Sequence, residues 1–192
     1  VKCSSKRLYP DYISAKMMRK NYEGNVFSPM GCRSFLSPWK DENGNYKFEG
    51  RFNQGVVSIN LLQCGIIAKG DENKFWEILE ERLQLCFDAL MVRHNALKGV
   101  ISDVSPVHWQ YGAIARLDKG EKIDKYLYGG YSSIALGYIG LYEVTKLVKG
   151  VSHTDPEGEK FAVKVMQCLR DHCEKWKKET NIGFALYGTP AE

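Results

Sequence analysis

Over residues 71–98 the apolar side chains Phe75, Ile78, Leu79, Leu83, Cys86, Leu90 and Leu97 recur at helical spacing. A one-sided apolar stripe of that length predicts an amphipathic helix, which must bury its stripe against another element. Just ahead of it, Gly55-Val56-Val57-Ser58-Ile59-Asn60-Leu61 is short and rich in β-branched residues, as a buried strand is. The alternation continues with a strand at 132–136 and a helix at 140–148. Thr154-Asp155-Pro156-Glu157 then reads as a helix start of the capping-box kind with Pro in the first turn. That helix runs to about residue 180, and a short apolar strand at 183–187 ends at Gly188-Thr189-Pro190. Strand, long helix, strand, helix, strand is the signature of the α/β class. Two weaker elements are expected: a helix from Pro10-Asp11 through Met18, ending before Gly24, and a strand at 112–117.

A chain of 192 residues suits one domain with a real core. Its apolar fraction of 44% and charged fraction of 26% are those of an ordinary globular protein. No stretch approaches the roughly 20 apolar residues that span a bilayer, which argues against a membrane protein. The first residues, Val1-Lys2-Cys3-Ser4-Ser5-Lys6-Arg7, have no apolar run after the positive charges, so a secretory signal is not expected and a cytoplasmic location is. Lacking a starting Met, the chain reads as a piece of a longer polypeptide. A net charge of +4 with interspersed signs gives too weak a field to argue for DNA, although an anionic small substrate is tolerated. The 6 cysteines are expected to be reduced thiols, because a chain this long needs no staples.

Residues 25–50 are a string of turn formers interrupted by aromatic and apolar side chains, an ordered irregular loop of a length that tends to be functional. At its centre stands Cys32, in Pro29-Met30-Gly31-Cys32-Arg33-Ser34. A lone Cys is most often a small buried hydrophobe. Here Gly31 permits a tight tip, Pro29 and Pro38 stiffen it, and Met30, Phe35, Leu36 and Trp39 can bury it. The remaining candidates are weaker. Cys168 and His172, four apart on one helix, are only half a zinc site, and no C-x-x-C pair supplies the rest, so no metal site is expected. His94 and His108 lack triad partners and read as polar or capping residues. Gly137-Tyr138-Ile139-Gly140 has no phosphate-loop spacing and marks a strand-to-helix turn. Gly188-Thr189-Pro190, at a strand end, is either a plain turn or a place where backbone N–H groups meet a phosphate.

Four ordered blocks carry a more specific signal: residues 28–36 (SPMGCRSFL), 50–61 (GRFNQGVVSINL), 133–140 (SIALGYIG) and 183–192 (GFALYGTPAE). Together they resemble the anaerobic, class III ribonucleoside-triphosphate reductases. The helix at 71–98 and the stretch Trp176-Lys177-Lys178-Glu179-Thr180 look like that family too, so the likeness covers nearly the whole chain. It covers only a middle part of the family's longer polypeptide.

The resemblance implies part of a ten-stranded α/β barrel of the glycyl-radical enzyme type, with a central finger loop at about 25–50 and residues 1–192 forming a partial catalytic barrel domain. It implies that Cys32 becomes a thiyl radical and abstracts the 3′ hydrogen of the substrate ribose, starting loss of the 2′ hydroxyl as water. Asn53 matches a position beside the substrate, suited to the ribose hydroxyls or to formate, the reductant. Gly188, Thr189, Pro190 and Ala191 are similar to the loop where substrate phosphates are expected. The implied partners are a ribonucleoside triphosphate, formate, a radical-SAM activating enzyme and the remainder of the reductase chain, in a homodimer. No cofactor is expected within this segment; the glycyl radical and a structural zinc belong to the missing part of the parent chain. The pyruvate formate-lyase type shares the finger loop but places two adjacent cysteines at its tip, where Gly31-Cys32-Arg33 offers one. A third reading is a non-catalytic nucleotide-binding or interaction domain derived from such a barrel.

Overall fold

The computed structural model describes residues 2–7, 12–27, 39, 40, 43–48 and 50–189. Cys32, with most of the expected finger loop, lies outside the described residues, as do Pro190 and Ala191. The chain divides into two units, Val1–Phe35 and Leu36–Glu192. The first holds two short helices, α1 (Lys2–Arg7) and α2 (Ala15–Asn21). α2 starts later than the Pro10-Asp11 signal predicts. Ser14 is extended, and its hydroxyl accepts from Met17 N at 3.3 Å, so the helix is capped there.

The second unit is built on three parallel strands, β1 (Phe52–Asn60), β2 (Ser132–Ile139) and β3 (Gly183–Gly188), in the order β1-β2-β3. The α/β expectation holds, as a three-stranded parallel sheet among the described residues. Parallel neighbours need long crossovers, and the chain supplies two. Between β1 and β2 run α3 (Leu61–Ile67), α4 (Glu72–Leu97) and α5 (Pro106–Trp109). Between β2 and β3 run α6 (Leu141–Lys149) and α7 (Pro156–Thr180). No described helix is long and apolar enough to cross a membrane.

The stripe on α4 does what its spacing demands. Phe75, Leu79, Leu83 and Leu90 are fully buried, packed with Cys64 of α3, Val144 of α6, and Phe161, Val165 and Leu169 of α7. The strands close this core with Ile59, Ile134, Leu136 and Phe184. A smaller cluster forms around Trp109, Ala115, Leu117, Ile123 and Leu127.

Three local expectations are corrected. Residues 112–117 form no strand: Ile114 N and Ala115 N both bond His108 O, and Leu117 N bonds Trp109 O. Their apolar alternation reflects Ala115 and Leu117 seated beside Trp109, with the backbone satisfied locally rather than by a ladder. At the α7 start Pro156 stands in the first turn as expected, but no reciprocal capping box forms. Asp155 Oδ2 instead accepts from Ser152 N at 2.9 Å, and Glu157 pairs with Lys160 at 2.7 Å. Finally, α3 was not foreseen; Asn60 ends β1 and caps the helix in one step, accepting from Gln63 N at 3.0 Å.

Candidate active site

Side chains alternate across a strand, so which residues of β1 face the helices depends on register. β1 contains a bulge: Asn53 pairs with Ser133, yet the next pair is Val56 with Ala135. The extra residue puts Gln54 on the helix side before the bulge, and Val57 and Ile59 on that side after it. Asn53 and Ser58 are thereby left on the opposite face. Gly55, at φ 139°, makes the turn, and Asn53 Oδ1 holds it by accepting from Gly55 N at 2.6 Å. Asn53 is therefore a positioning residue for the strand. Its carbonyl oxygen is committed to the bulge, and the side-chain NH₂ is what it can offer a ligand.

At the carboxyl ends of the strands the same face carries a second constellation. Ser58 Oγ of β1 and Thr189 Oγ1, just past β3, are hydrogen-bonded at 2.6 Å. They meet across β2, which is possible only because residue 137 is Gly. A Cβ there would collide with the Ser58 and Thr189 hydroxyl oxygens. Thr189 N donates to Tyr138 O at 3.1 Å, extending the pairing one residue beyond β3. α3 follows β1 directly and α6 follows β2 through Gly140, so both helices begin at this end of the sheet. In open parallel sheets this is the end where ligands bind.

Two polar groups, one half-buried and one buried, brace the opening of the sheet. Arg51 donates to Lys47 O at 3.2 Å and to Ser133 Oγ at 3.4 Å, and burial lowers its guanidinium to about 10. On the helix side, Gln54 Nε2 donates to Ser132 Oγ at 2.7 Å and to Leu127 O at 3.1 Å, and its Oε1 lies 2.8 Å from His94 Nδ1. His94 Nε2 lies 3.0 Å from Tyr128 Oη. Burial depresses the His94 pKa, so the ring is neutral, donating from Nδ1 to Gln54 and accepting from Tyr128 at Nε2. His94 is thus a structural node, in keeping with the polar role its sequence context suggests; Gln54 and Arg51 escaped the sequence reading.

The predicted site residues do not all converge. Asn53 pairs in register with Ser133, which pairs with Gly183, so Asn53 sits level with the start of β3. Thr189 lies at the far end, about 20 Å along the strand direction at some 3.3 Å per residue. Thr189 does meet Ser58, a partner 131 positions away that no local motif marks. Cys3, Cys64, Cys86, Cys168 and Cys173 are free thiols, in line with the expected reduced state. Burial pushes the Cys64 and Cys86 thiols up, that of Cys173 to about 12. A groove of about 550 Å³ between α6, α7 and β3, lined by Leu141, Val163, Met166 and Leu186 among others, touches none of the site residues.

Comparison with known proteins gives one answer. The family described as anaerobic ribonucleoside-triphosphate reductase matches residues 1–192. The chain is 40% identical over 195 residues to the Escherichia coli anaerobic ribonucleoside-triphosphate reductase, covering 100% of this chain and 27% of that one. It is 42% identical over 198 residues to the phage T4 enzyme, covering 31% of it. The chain thus spans under a third of the length of these relatives. Among solved structures, the anaerobic ribonucleotide reductase from Thermotoga maritima with citrate in the active site superposes with a TM-score of 0.55 at 22% identity. That match covers 76% of this chain and 28% of that one, and it supports the fold. With a whole-chain family match and the parallel-sheet fold in agreement, the chain belongs to the anaerobic ribonucleoside-triphosphate reductase family.

Proposed function

We propose that this chain supplies part of the catalytic barrel of an anaerobic ribonucleoside-triphosphate reductase, which reduces ribonucleotides to deoxyribonucleotides with formate as reductant. The observation that carries the reading is the face of the sheet opposite the helices: it holds Asn53 at the bulge near the start of the strands, and at their carboxyl ends Ser58 and Thr189, hydrogen-bonded over Gly137. Thr189, Gly188 and the following Pro190 and Ala191 would receive the substrate phosphates, near the starts of α3 and α6. Asn53 would present its NH₂ to the ribose hydroxyls or to formate. Cys32 would hold the sulfur radical that takes the 3′ hydrogen; the 2′ hydroxyl then leaves as water while formate, giving up two electrons, leaves as carbon dioxide. A glycyl radical in the remainder of the chain, installed by a radical-SAM activating enzyme, supplies the unpaired electron. The complete enzyme works as a homodimer in the cytoplasm on this reading.

The test uses the complete reductase polypeptide with activating enzyme, formate and a nucleoside triphosphate. Cys32→Ser is expected to abolish deoxynucleotide formation while leaving nucleotide binding intact. Asn53→Asp keeps the acceptor for Gly55 N but replaces the donor, so kcat/KM should fall by about tenfold or more with the fold unchanged, the scale of one lost hydrogen bond to a bound group. Full activity in Cys32→Ser would end the proposal, and deoxynucleotide product from residues 1–192 alone would refute the need for the rest of the chain.

A further inference from the structure

The outer surface where α4 meets α7 carries a cluster that plays no part in the proposed reaction. Glu80 of α4 lies against Cys168 and His172, which are one turn apart on α7. One donor atom from each lies within 4.8 Å of the other two. Glu80 Oε1 is 3.7 Å from Cys168 Sγ, and Glu80 Oε2 is 3.0 Å from His172 Nε2. The sequence offers only the Cys168 and His172 half of this cluster, because Glu80 stands 88 positions before Cys168.

We propose that Glu80, Cys168 and His172 form a three-ligand site for a divalent transition metal of the zinc class, with a fourth position open to water. Thiolate, imidazole and carboxylate are the donors that borderline-soft Zn²⁺ takes, and three protein ligands plus a water complete its tetrahedron. Zinc–ligand bonds of about 2.0–2.3 Å set tetrahedral donors roughly 3.3–3.8 Å apart, so small side-chain adjustments suffice here. The orientation of His172 points the same way. Its Nδ1 lies 3.0 Å from the backbone O of Cys168, and donating there turns the Nε2 lone pair toward Glu80. A second ring nitrogen bonded to a carbonyl is the usual support of a metal-bound histidine. With Nδ1 donating to Cys168 O, the Nε2 lone pair faces the Glu80 carboxylate and a metal cation fits between them; in the other tautomer Nε2–H donates to Glu80 and Cys168 Sγ approaches Nδ1 at 3.8 Å. The ring is also held edge-on by Trp176, with centroids 5.6 Å apart. Burial and Glu80 push the Cys168 thiol up to about 11, so in the metal-free chain it keeps its proton. Binding would replace the sulfur–hydrogen bond by a metal–sulfur bond and release that proton to solvent, with no change of oxidation state. The bound ion would clamp α4 to α7.

The full chain, stripped by a chelator, is titrated with Co²⁺ alone as the spectroscopic probe. One equivalent should produce thiolate-to-cobalt charge-transfer absorption and visible bands of tetrahedral intensity, and Zn²⁺ should displace it. Cys168→Ser should remove the charge-transfer band, and Glu80→Gln and His172→Gln should each weaken binding about tenfold or more, in circular-dichroism-verified folded protein. A charge-transfer band that survives in Cys168→Ser assigns the metal to another thiol and overturns the site. So does a native chain that binds no Co²⁺ at one equivalent. If Glu80 and His172 make only an ion pair, Zn²⁺ leaves the wild-type melting temperature unmoved; the proposal requires a rise in wild type that Glu80→Gln loses.

Discussion

The two faces of the sheet are made of different material. Toward the helices, β1, β2 and β3 present Val57, Ile59, Ile134, Leu136, Phe184 and Leu186, closing a core with four helices. On the other face Val56 and Tyr187 stand among smaller or polar groups, Asn53, Ser58, Ser133, Ala135, Gly137 and Thr189, of which Ser58 and Thr189 are hydrogen-bonded to each other. A sheet that only needed stability would bury large apolar groups on both faces. The helix face holds the fold together; the other face gives up bulk so that strands can bring polar groups together.

That comparison can be broken most sharply by Leu136→Ala. A fully buried core leucine should cost about 2–5 kcal/mol in denaturant unfolding. A loss well under that range would mean that the helix face does not carry the stability. Gly137→Ala, one position along on the other face, should cost about 1–3 kcal/mol through overpacking, because its methyl would collide with the Ser58 and Thr189 hydroxyls. A Ser58→Ala background should relieve part of that cost, and additivity of the two changes would deny the crossing over β2.

The buried network on the helix face predicts a pH effect. The folded His94 pKa lies below the unfolded value of about 6.5, so the native state binds fewer protons than the unfolded chain in that region. Its stabilising contribution is complete above about pH 6.5 and is lost as pH falls through the folded pKa. Denaturation midpoints measured on both sides of that window should drop on acidification, and His94→Gln should flatten the segment. The smallest stability effect is expected for Ser58→Ala, at most about 0.5–1.5 kcal/mol for one exposed hydroxyl pair. Its signature should instead be a raised KM in the complete enzyme. A large stability loss with unchanged KM would reverse the roles of the two faces.

Much of the fold was legible because periodicity reports burial directly. The α4 stripe, the strand at 183–187 and the Pro156 start appear where their patterns place them, since each depends on neighbours a few residues away; β1 begins ahead of Gly55, and β2 continues through Gly137, which the spacing assigns to a strand-to-helix turn. The strand expected at 112–117 failed for the converse reason. Ala115 and Leu117 are buried as a strand would bury them, yet their backbone is satisfied by the turn after Trp109, which alternation cannot reveal. At the site, the family blocks mark Asn53 and Gly188-Thr189, but the first role the structure reveals for Asn53 is holding a bulge. That role depends on Gly55 adopting a backbone state that few residues share.

By itself the sequence determined the α/β class, the helices and strands that pack most deeply, and family membership, because these rest on local patterns and ordered blocks. Only the tertiary structure decided that Ser58 meets Thr189 over Gly137, that Gln54 pairs with His94, and that Glu80 joins Cys168 and His172. Each of those contacts joins residues 40 or more positions apart. Such a pairing is set by strand register and helix packing, which act through the whole chain and leave no mark at any one place in it.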